Sequence, residues 1–392
     1  MFDYKETMDK LIQQEVDEGR VAGVSTLVIH KDKEMYFHTY GYADKEKQIP
    51  MKRDTIIRLF SMTKPITAVA VMILAERGEL DLRDAVSKYI PEFHGQQVWT
   101  KDGLVPVERE NTIWDMLNMT SGIPYPDEAH EPGRQMGAAL QELIARRQRG
   151  ERVDTLEYAK AIAGVPLCFQ PGAIWMYGFS ADILGAVVEV VSGMRYGEFL
   201  QKELFEPLEM YDTAFYVPEE KKDRFAQVYE WKDEKELIPF GQSFLGEYYE
   251  SDVAFESGGA GLVSTIEDYS HFAKMMIRKG EYKGKRILGR KTVEFMTQNR
   301  LREEQRVLCD WDSLLGYGYG CLMRVLLDQG AAATNAPLGE YGWDGWTGPY
   351  VTMDPENELT LIYAIQRCAA GMTPVVRKLR MATYAALSDD KE

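Results

Sequence analysis

Ser61 and Lys64 are the residues of this chain whose types and spacing are best suited to chemistry. They stand where a strand-like run (residues 56–60) gives way to an apolar helical run (residues 66–74). Residues three apart in a helix lie about one turn apart, so a hydroxyl and an amine at these positions can meet on one face. A desolvated lysine can remove the proton from a serine, and the helix N-terminus supplies backbone donors beside it. The pair therefore predicts a serine nucleophile that forms an acyl-enzyme.

The spacing alone does not settle the assignment, because Ser388 and Lys391 repeat it near the C-terminus. No apolar helical run follows that copy, and it is interpreted as chance. Histidine offers no competing chemistry, since the five His residues form no HxH or HExxH pattern and none stands near a candidate serine. The sequence therefore predicts neither a Ser-His-Asp triad nor a metal site, and it predicts no cofactor.

The composition is that of a globular protein with a substantial core. The chain has 392 residues, 45% of them hydrophobic, which suits one large unit or two intermediate ones. Its net charge of -16 argues against nucleic acid as a partner. No apolar run is long enough to cross a bilayer, and the polar N-terminal segment lacks the apolar core of a signal peptide, so no membrane partner is expected. The four cysteines form no CxxC pair, as is typical of free thiols, and a cytoplasmic location is predicted.

Hydrophobic periodicity predicts the elements that position Ser61 and Lys64. A helix is expected over residues 5–20, followed by strands at 24–30 and 35–40 and then by the strand and helix around Ser61. From about residue 91 to 255 the strand signal almost vanishes. The helices predicted there are 112–119, 135–147, 156–163, 180–192 and 196–205. The later elements are helices at 266–279 and 290–298, strands at 316–324, 350–353 and 358–366, and a last helix at 374–387.

These elements predict an α/β (α+β) fold. An antiparallel sheet would be flanked by the N- and C-terminal helices and interrupted by an all-helical insertion. The sheet domain would comprise residues 1–90 and 256–392, and the insertion residues 91–255. The Ser61 helix would lie at the seam of the two parts, where pockets tend to form. Two loops, 121–136 and 239–256, are candidates to close over such a pocket.

Five blocks of sequence, spread over roughly residues 20–366, carry a family resemblance. The blocks are 59–65, 119–123, 171–185, 257–265 and 342–346. Together they resemble the penicillin-recognising serine enzymes, which include class C β-lactamases, DD-peptidases and the Ser-Lys-Tyr (family VIII-type) carboxylesterases. The motifs are most similar to those of the carboxylesterases. The resemblance implies the β-lactamase/transpeptidase-like fold.

The resemblance also implies roles for single residues. Ser61 matches the nucleophile and Lys64 its activating partner. Tyr177 matches the tyrosine that gives a proton to the leaving group and later takes one from the hydrolytic water. The family's oxyanion hole uses two backbone amides, which here would be those of Ser61 and Trp346. Removing such a donor typically costs about 3–4 kcal/mol of transition-state stabilisation.

The chain departs from the β-lactamase pattern around the expected pocket. Phe179 stands where β-lactamases have an asparagine that binds the acylamide. Trp343, Asp344 and Gly345 stand where a lysine-threonine-glycine strand motif supplies a cation for the substrate carboxylate. Two directions are open for Asp344: facing the pocket, it would repel an anionic β-lactam, or it points under the sheet, since neighbouring strand residues face opposite sides. We expect Phe179, Trp343, Asp344 and Gly345 to contact substrate in an aromatic-walled pocket.

The sequence therefore predicts a serine hydrolase that acts on small esters. The same Ser-Lys-Tyr machinery would also serve a β-lactamase, a D-amino-acid peptidase or amidase, or an acyltransferase, and the sequence hardly separates them. A non-catalytic assembly module is disfavoured, because all three catalytic residues are intact. The expected partner is a small ester or acyl compound, and the oligomeric state is not readable from the sequence.

Overall fold

The computed structural model describes residues 3–241, 249 and 253–387. Most of the predicted loop 239–256 and the repeated pattern at 388–391 lie outside the described residues. All four cysteines are free thiols, and Cys321 is buried while the other three are half-buried.

Helices occur along the whole described chain, and most agree with the predicted ranges to within a few residues. They are α1 (Tyr4–Asp17), α2 (Thr63–Glu76), α3 (Ile113–Leu117), α4 (Glu131–Gln148), α5 (Thr155–Ala163), α6 (Ser180–Ser192), α7 (Tyr196–Leu200), α8 (Glu206–Leu208), α9 (Ile266–Ile277), α10 (Arg290–Met296), α11 (Gln329–Ala332) and α12 (Pro374–Ala385).

The strands divide into one large sheet and several short pairs. They are β1 (Gly23–His30), β2 (Lys33–Asp44), β3 (Ile49–Pro50), β4 (Ile57–Arg58), β5 (Gln97–Thr100), β6 (Gly103–Pro106), β7 (Tyr229–Lys232), β8 (Glu236–Pro239), β9 (Val263–Ser264), β10 (Glu281–Tyr282), β11 (Lys285–Arg286), β12 (Tyr317–Gly320), β13 (Met323–Leu326), β14 (Tyr341–Asp344), β15 (Tyr350–Asp354) and β16 (Leu359–Ala364).

The large sheet is antiparallel, with the strand order β12-β13-β14-β15-β16-β1-β2-β3. Its first strand in the chain, β1, is hydrogen-bonded to its last, β16, with Thr26 opposite Tyr363. The sheet is thus assembled from the two ends of the chain, with the helical part inserted between them. This confirms the predicted α/β fold class, while the predicted domain boundaries stay a prediction.

Residues of β1 alternate between the two faces of the sheet, as the strand period requires. Val24 and Val28 pack in the cluster formed by α1 and α12, whereas Leu27 and Ile29 join the larger core on the opposite face. That larger core contains α2, whose residues from Thr63 to Leu74 are all buried. A helix that is apolar all round needs packing on every side, which α6 and the sheet provide.

The strand predicted at 316–324 is wrong in its extent. The chain reverses at Cys321 and Leu322, both of which have positive φ values (45° and 63°), so that β12 and β13 form a tight hairpin. Such turns usually carry Gly or Asn, and neither residue stands at these two positions to mark it.

The inserted part of the chain is mostly helical but not entirely so. The hairpins β5/β6 and β7/β8 lie within residues 91–255, where the sequence predicts helices only. Each of these strands has four residues, too few for the alternation of apolar and polar residues to be recognised.

Candidate active site

The chain enters the site through β4 and a 3₁₀ turn, Phe60–Met62, that leads directly into α2. Phe60 has a left-handed backbone (φ 45°), which is uncommon for a bulky residue and turns the chain sharply. Ser61 follows at once and is half-buried at the start of α2. The sharp turn between β4 and α2 therefore places the Ser61 hydroxyl in the site, and α2 supplies Lys64 as its partner.

Lys64 lies in the first turn of α2, and its side chain is fully buried. Its amine donates to the Gly259 carbonyl at 2.8 Å and lies 3.1 Å from the hydroxyls of both Ser61 and Tyr125. A carbonyl oxygen only accepts, whereas a hydroxyl donates or accepts. The carbonyl therefore fixes one N–H of the amine, and protons can be exchanged with the two hydroxyls.

Burial lowers the pKa of Lys64 to about 7, because a desolvated ammonium is disfavoured. Asp182 and Asp344 oppose this effect, since their negative charges favour the protonated amine. A group with a pKa near the working pH is best suited to general base catalysis. Lys64 can therefore accept the Ser61 proton at neutral pH.

Tyr177 stands on the other side of Ser61. Its hydroxyl accepts a hydrogen bond from Trp343 Nε1 at 3.0 Å and is also hydrogen-bonded to Ser61. The Lys64 amine lies 4.5 Å from the centroid of the Tyr177 ring. Desolvation raises the pKa of Tyr177 above its usual range, so the phenol is protonated at neutral pH. The structure thus brings Ser61, Lys64 and Tyr177 together, in an arrangement where Lys64 can accept a proton and Tyr177 can donate one.

Tyr125 is a site residue that sequence reasoning missed. It lies in the loop between α3 and α4, where no secondary-structure period marks its direction. Its ring packs edge-on against Tyr177 at 5.5 Å and Phe179 at 4.5 Å between centroids, and its hydroxyl is a partner of Lys64. One feature of the sequence indicates that Tyr125 belongs to the site: it lies in the predicted loop 121–136, two residues after the block 119–123.

A cavity of about 440 Å³ opens at Ser61. Its lining residues are Phe60, Ser61, Tyr125, Pro126, Gly137, Leu140, Gln141, Ile144, Tyr158, Tyr177, Ala260 and Trp346. Four of them lie on α4 at the spacing of a single helix face, which forms one wall. No charged side chain lines the cavity within the described residues, so it suits an uncharged, apolar group.

Phe179 and Trp343 do not line this cavity, which corrects their predicted contact with substrate. Phe179 is completely buried and supports the Tyr125 ring from behind. Trp343 is 3% exposed, and its indole N–H holds the Tyr177 hydroxyl. Both aromatics therefore position a tyrosine of the site.

Asp344 and Gly345 are likewise absent from the cavity wall. Asp344 forms an ion pair with the fully buried Arg324 at 2.7 Å, so of its two possible directions it takes the one away from the pocket. Gly345 lies against the Leu59 carbonyl, where a Cβ would overlap the oxygen. That close approach brings the next residue, Trp346, to the cavity, where its ring meets Phe60 at 5.4 Å.

The described residues contain neither a metal-binding cluster nor a membrane-spanning helix. No group of three or more His, Cys, Asp or Glu side chains there could hold a metal ion. No helix in the same ranges combines the length and the apolar character that a bilayer span requires.

Known proteins resemble this chain over almost its whole length. The sequence model of the Beta-lactamase family matches residues 8–385 of this chain. The curated protein Esterase EstB from Burkholderia gladioli is 30% identical over 394 residues, which are 96% of this chain and 94% of EstB.

Solved structures share the fold over almost the whole chain. The structure described as "EstCE1, a hydrolase with promiscuous acyltransferase activity" has a TM-score of 0.81 at 26% identity, covering 97% of this chain and 98% of that one. A family VIII carboxylesterase has a TM-score of 0.74 at 19% identity and covers 98% of each chain, a likeness of fold alone.

Proposed function

We propose, since the chain belongs to the β-lactamase family of serine hydrolases, that it hydrolyses small uncharged esters through an acyl-enzyme on Ser61. The observation that carries the proposal is the 3.1 Å contact between the Lys64 amine and the Ser61 hydroxyl at the mouth of an uncharged cavity. The similarity to Esterase EstB and to the hydrolase EstCE1 supports it.

Acylation follows from the protonation states of the three side chains. Neutral Lys64 takes the hydroxyl proton as Ser61 Oγ attacks the ester carbonyl carbon, and the carbonyl oxygen becomes an oxyanion. We assign its stabilisation to the backbone amides of Ser61 and Trp346. As the tetrahedral intermediate collapses, Tyr177 gives its proton to the departing alkoxide, which leaves as an alcohol. The ammonium of Lys64, which lies over the Tyr177 ring, then returns its proton to the Tyr177 oxygen, so that the phenol and the neutral amine are both restored.

Deacylation uses the same groups in the opposite sense. Lys64 is again neutral, and Tyr177 relays to it the proton of a water molecule that attacks the acyl carbon. The second oxyanion collapses, the bond from carbon to Ser61 Oγ breaks, and the proton returns to Oγ. The carboxylic acid is released and the free enzyme is regenerated.

An uncharged substrate is favoured over a β-lactam. The carboxylate of a β-lactam needs a cation in the site, and the cavity walls carry none in the described ranges. Arg324 is completely buried and already paired with Asp344. We therefore expect esterase activity to exceed the turnover of the β-lactam nitrocefin by a wide margin.

Acyl transfer is a second candidate on the same site. An apolar cavity of about 440 Å³ has room for an alcohol beside a short acyl group, and the relative EstCE1 is described as having promiscuous acyltransferase activity. Adding a primary alcohol to the ester reaction would then give the new ester in addition to the acid. Free acid as the sole product at every alcohol concentration would exclude transfer.

The decisive experiment compares the parent enzyme with Ser61→Ala on p-nitrophenyl butyrate. Loss of the nucleophile removes about 10³-fold or more of kcat, although binding in the cavity is retained. Mass mapping after treatment with a fluorophosphonate probe should place the label on Ser61. Equal rates for the two proteins, or a label on another residue, would refute the proposal.

We also propose a cytoplasmic location. Its support is the four cysteines, all of which are free thiols, as in proteins of reducing compartments. Fractionation of cells should find the protein with the cytosolic markers, and recovery from a secreted fraction would refute the location.

A further inference from the structure

A buried carboxylate lies behind Lys64 and has no part in the steps above. Asp182 belongs to the first turn of α6 and is 2% exposed. Its Oδ1 accepts hydrogen bonds from the Ser257 hydroxyl and, at 3.1 Å, from the Gly259 amide. Its Oδ2 is buried and has no hydrogen-bond partner among the described residues. A buried carboxylate oxygen without a partner is costly, so a compensating charge nearby is expected.

Gly259 connects this carboxylate to the catalytic amine. Its N–H is bonded to Asp182 and its C=O to Lys64 Nζ, so both polar groups of one residue are shared between the two side chains. A Cβ at position 259 would overlap Asp182 Oδ2. Glycine is therefore required here by close approach, and its absence of a side chain lets the carboxylate sit near the amine.

The other charges around Lys64 are already balanced. Asp344 is paired with the buried Arg324 at 2.7 Å. Among the described residues, three phenols lie near the pair: Tyr125 and Tyr177 beside Lys64, and Tyr196, on which the charge of Asp182 acts. Burial raises the pKa values of Tyr177 and Tyr196, which leaves these two phenols uncharged. Among the described residues, Lys64 is thus the cation whose charge acts on Asp182.

We propose that Asp182 is the buried counter-ion of Lys64 and acts as a positioning residue for catalysis, holding the amine through Gly259 and setting the pH at which it loses its proton. The proposal rests on the proposed function, in which Lys64 is the base. Asp182 itself does not line the cavity at Ser61, and its hydrogen-bond partners are Ser257 and Gly259. Its negative charge favours the ammonium, so it opposes the effect of burial and prevents the amine from being permanently neutral.

The first test is the pH dependence of kcat/KM for p-nitrophenyl butyrate in Asp182→Asn and in Ser257→Ala. The Asn side chain retains an oxygen for the Gly259 amide but loses the charge, so the acid limb should move to lower pH by about 1 unit or more. Ser257→Ala removes one hydrogen bond and keeps the charge, and its acid limb should stay with that of the parent. If the acid limb of the pH profile lies at the same pH in Asp182→Asn as in the parent, the proposal is overturned. Ser61→Ala separates the two hypotheses, because a fully active Ser61→Ala would refute the proposed function itself.

The second test does not need activity and uses the stability of Lys64→Met and of the double variant Lys64→Met/Asp182→Asn. Burial raises the pKa of Asp182 and the charge of Lys64 opposes this effect. Without Lys64 the pKa of Asp182 rises further in the folded state, so the single variant should lose stability as the pH rises above the pKa of the unfolded chain. The double variant lacks the carboxylate and should not show this loss. A melting temperature several degrees lower for the single variant near neutral pH supports the pairing. Equal melting temperatures of the two variants at every pH would refute it.

Discussion

At the scale of single residues, two tyrosines contact the reacting groups and differ in their partners. Tyr177 is bonded to Ser61 and held by Trp343, whereas Tyr125 is bonded to Lys64 and lines the cavity. The leaving group departs from the carbon that Ser61 attacks, so Tyr177 is the phenol in reach of it. We therefore expect the loss of the Tyr177 hydroxyl to slow catalysis more than the loss of the Tyr125 hydroxyl.

We predict that Tyr177→Phe lowers kcat by about 10²–10⁴-fold, the usual cost of losing a general acid. Tyr125→Phe should lower kcat by only about tenfold, because it removes one hydrogen bond of the amine and leaves the ring packing intact. Both are measured with p-nitrophenyl butyrate, each alongside a melting curve. The reverse order of the two effects would make Tyr125 the proton donor.

The pH profile of the parent enzyme tests the state of Lys64. Its pKa is lowered to about 7, and the neutral amine is the active form, so kcat/KM should rise as the pH increases through about 7. The measurement is a series of kcat/KM values for a neutral ester whose own hydrolysis is subtracted. An acid limb close to the ordinary lysine pKa would contradict a desolvated base.

The sequence predicted the residues that follow from local spacing. Ser61 and Lys64 meet because they are three apart at a helix start, and Tyr177 was found through a block of similarity. Tyr125 and Asp182 were not predicted as site residues, because both contact Lys64 or its neighbours through tertiary packing. Phe179 and Asp344 were predicted to contact substrate, but neither lines the cavity. They contact Tyr125 and Arg324 instead, and contacts between such distant segments cannot be inferred from local sequence.

At the scale of elements, α4 forms one wall of the cavity, and we expect it to limit which acyl groups fit. Gly137, Leu140, Gln141 and Ile144 form a single face of this helix toward the cavity. A Cβ at Gly137 would meet one atom within 4 Å, Pro126 Cβ at 3.8 Å, so a side chain there is tolerated by the protein. A larger residue at this position would occupy space that the acyl group uses.

We predict that Gly137→Leu shifts the preference toward shorter acyl chains. The added side chain fills part of the cavity, so kcat/KM for octanoate should fall by about tenfold or more while that for acetate stays near the parent value. The matched control is Ile144→Ala, which enlarges the same wall and should favour octanoate. An unchanged ratio of the two esters in both variants would show that the acyl group lies elsewhere.

A buried ion pair connects α12 to the large sheet. Arg380 on this helix and Glu340, just before β14, have side chains that are 2% and 0% exposed. The Tyr317 hydroxyl also accepts from Arg380, at 2.7 Å. Removing one partner of such a pair leaves the other charge buried, which costs more than the pair itself contributes.

Arg380→Met should therefore lower the free energy of unfolding by about 3–5 kcal/mol. The double variant Arg380→Met/Glu340→Leu should recover most of that loss, because it removes both charges. Urea denaturation of the parent and of both variants measures the effect. If the single variant unfolds together with the parent, Glu340 does not carry a buried charge.

At the scale of the whole molecule, the net charge of -16 surrounds a cavity without charged walls in the described residues. The summed field of such a protein repels anions at a distance, and salt screens the repulsion. We therefore expect both the uncharged cavity and the negative net charge to disfavour anionic substrates.

We predict that an ester carrying a carboxylate, such as a succinate monoester, shows a kcat/KM that rises with ionic strength. The matched neutral ester should show little change, because long-range attraction or repulsion requires a charge on the substrate. Rates are measured at low and at high sodium chloride. Parallel salt responses for the two esters would exclude electrostatic repulsion.

The pairing of β1 with β16 also has a consequence for biosynthesis. A ribosome releases Ser61, Lys64 and Tyr177 well before it makes Trp343, the residue that holds the phenol. The nascent polypeptide therefore carries the three proposed catalytic residues while the large sheet still lacks five of its eight strands, β12 to β16. Because β1 needs β16 as its partner in the sheet, we expect activity to arise only after translation has passed β16.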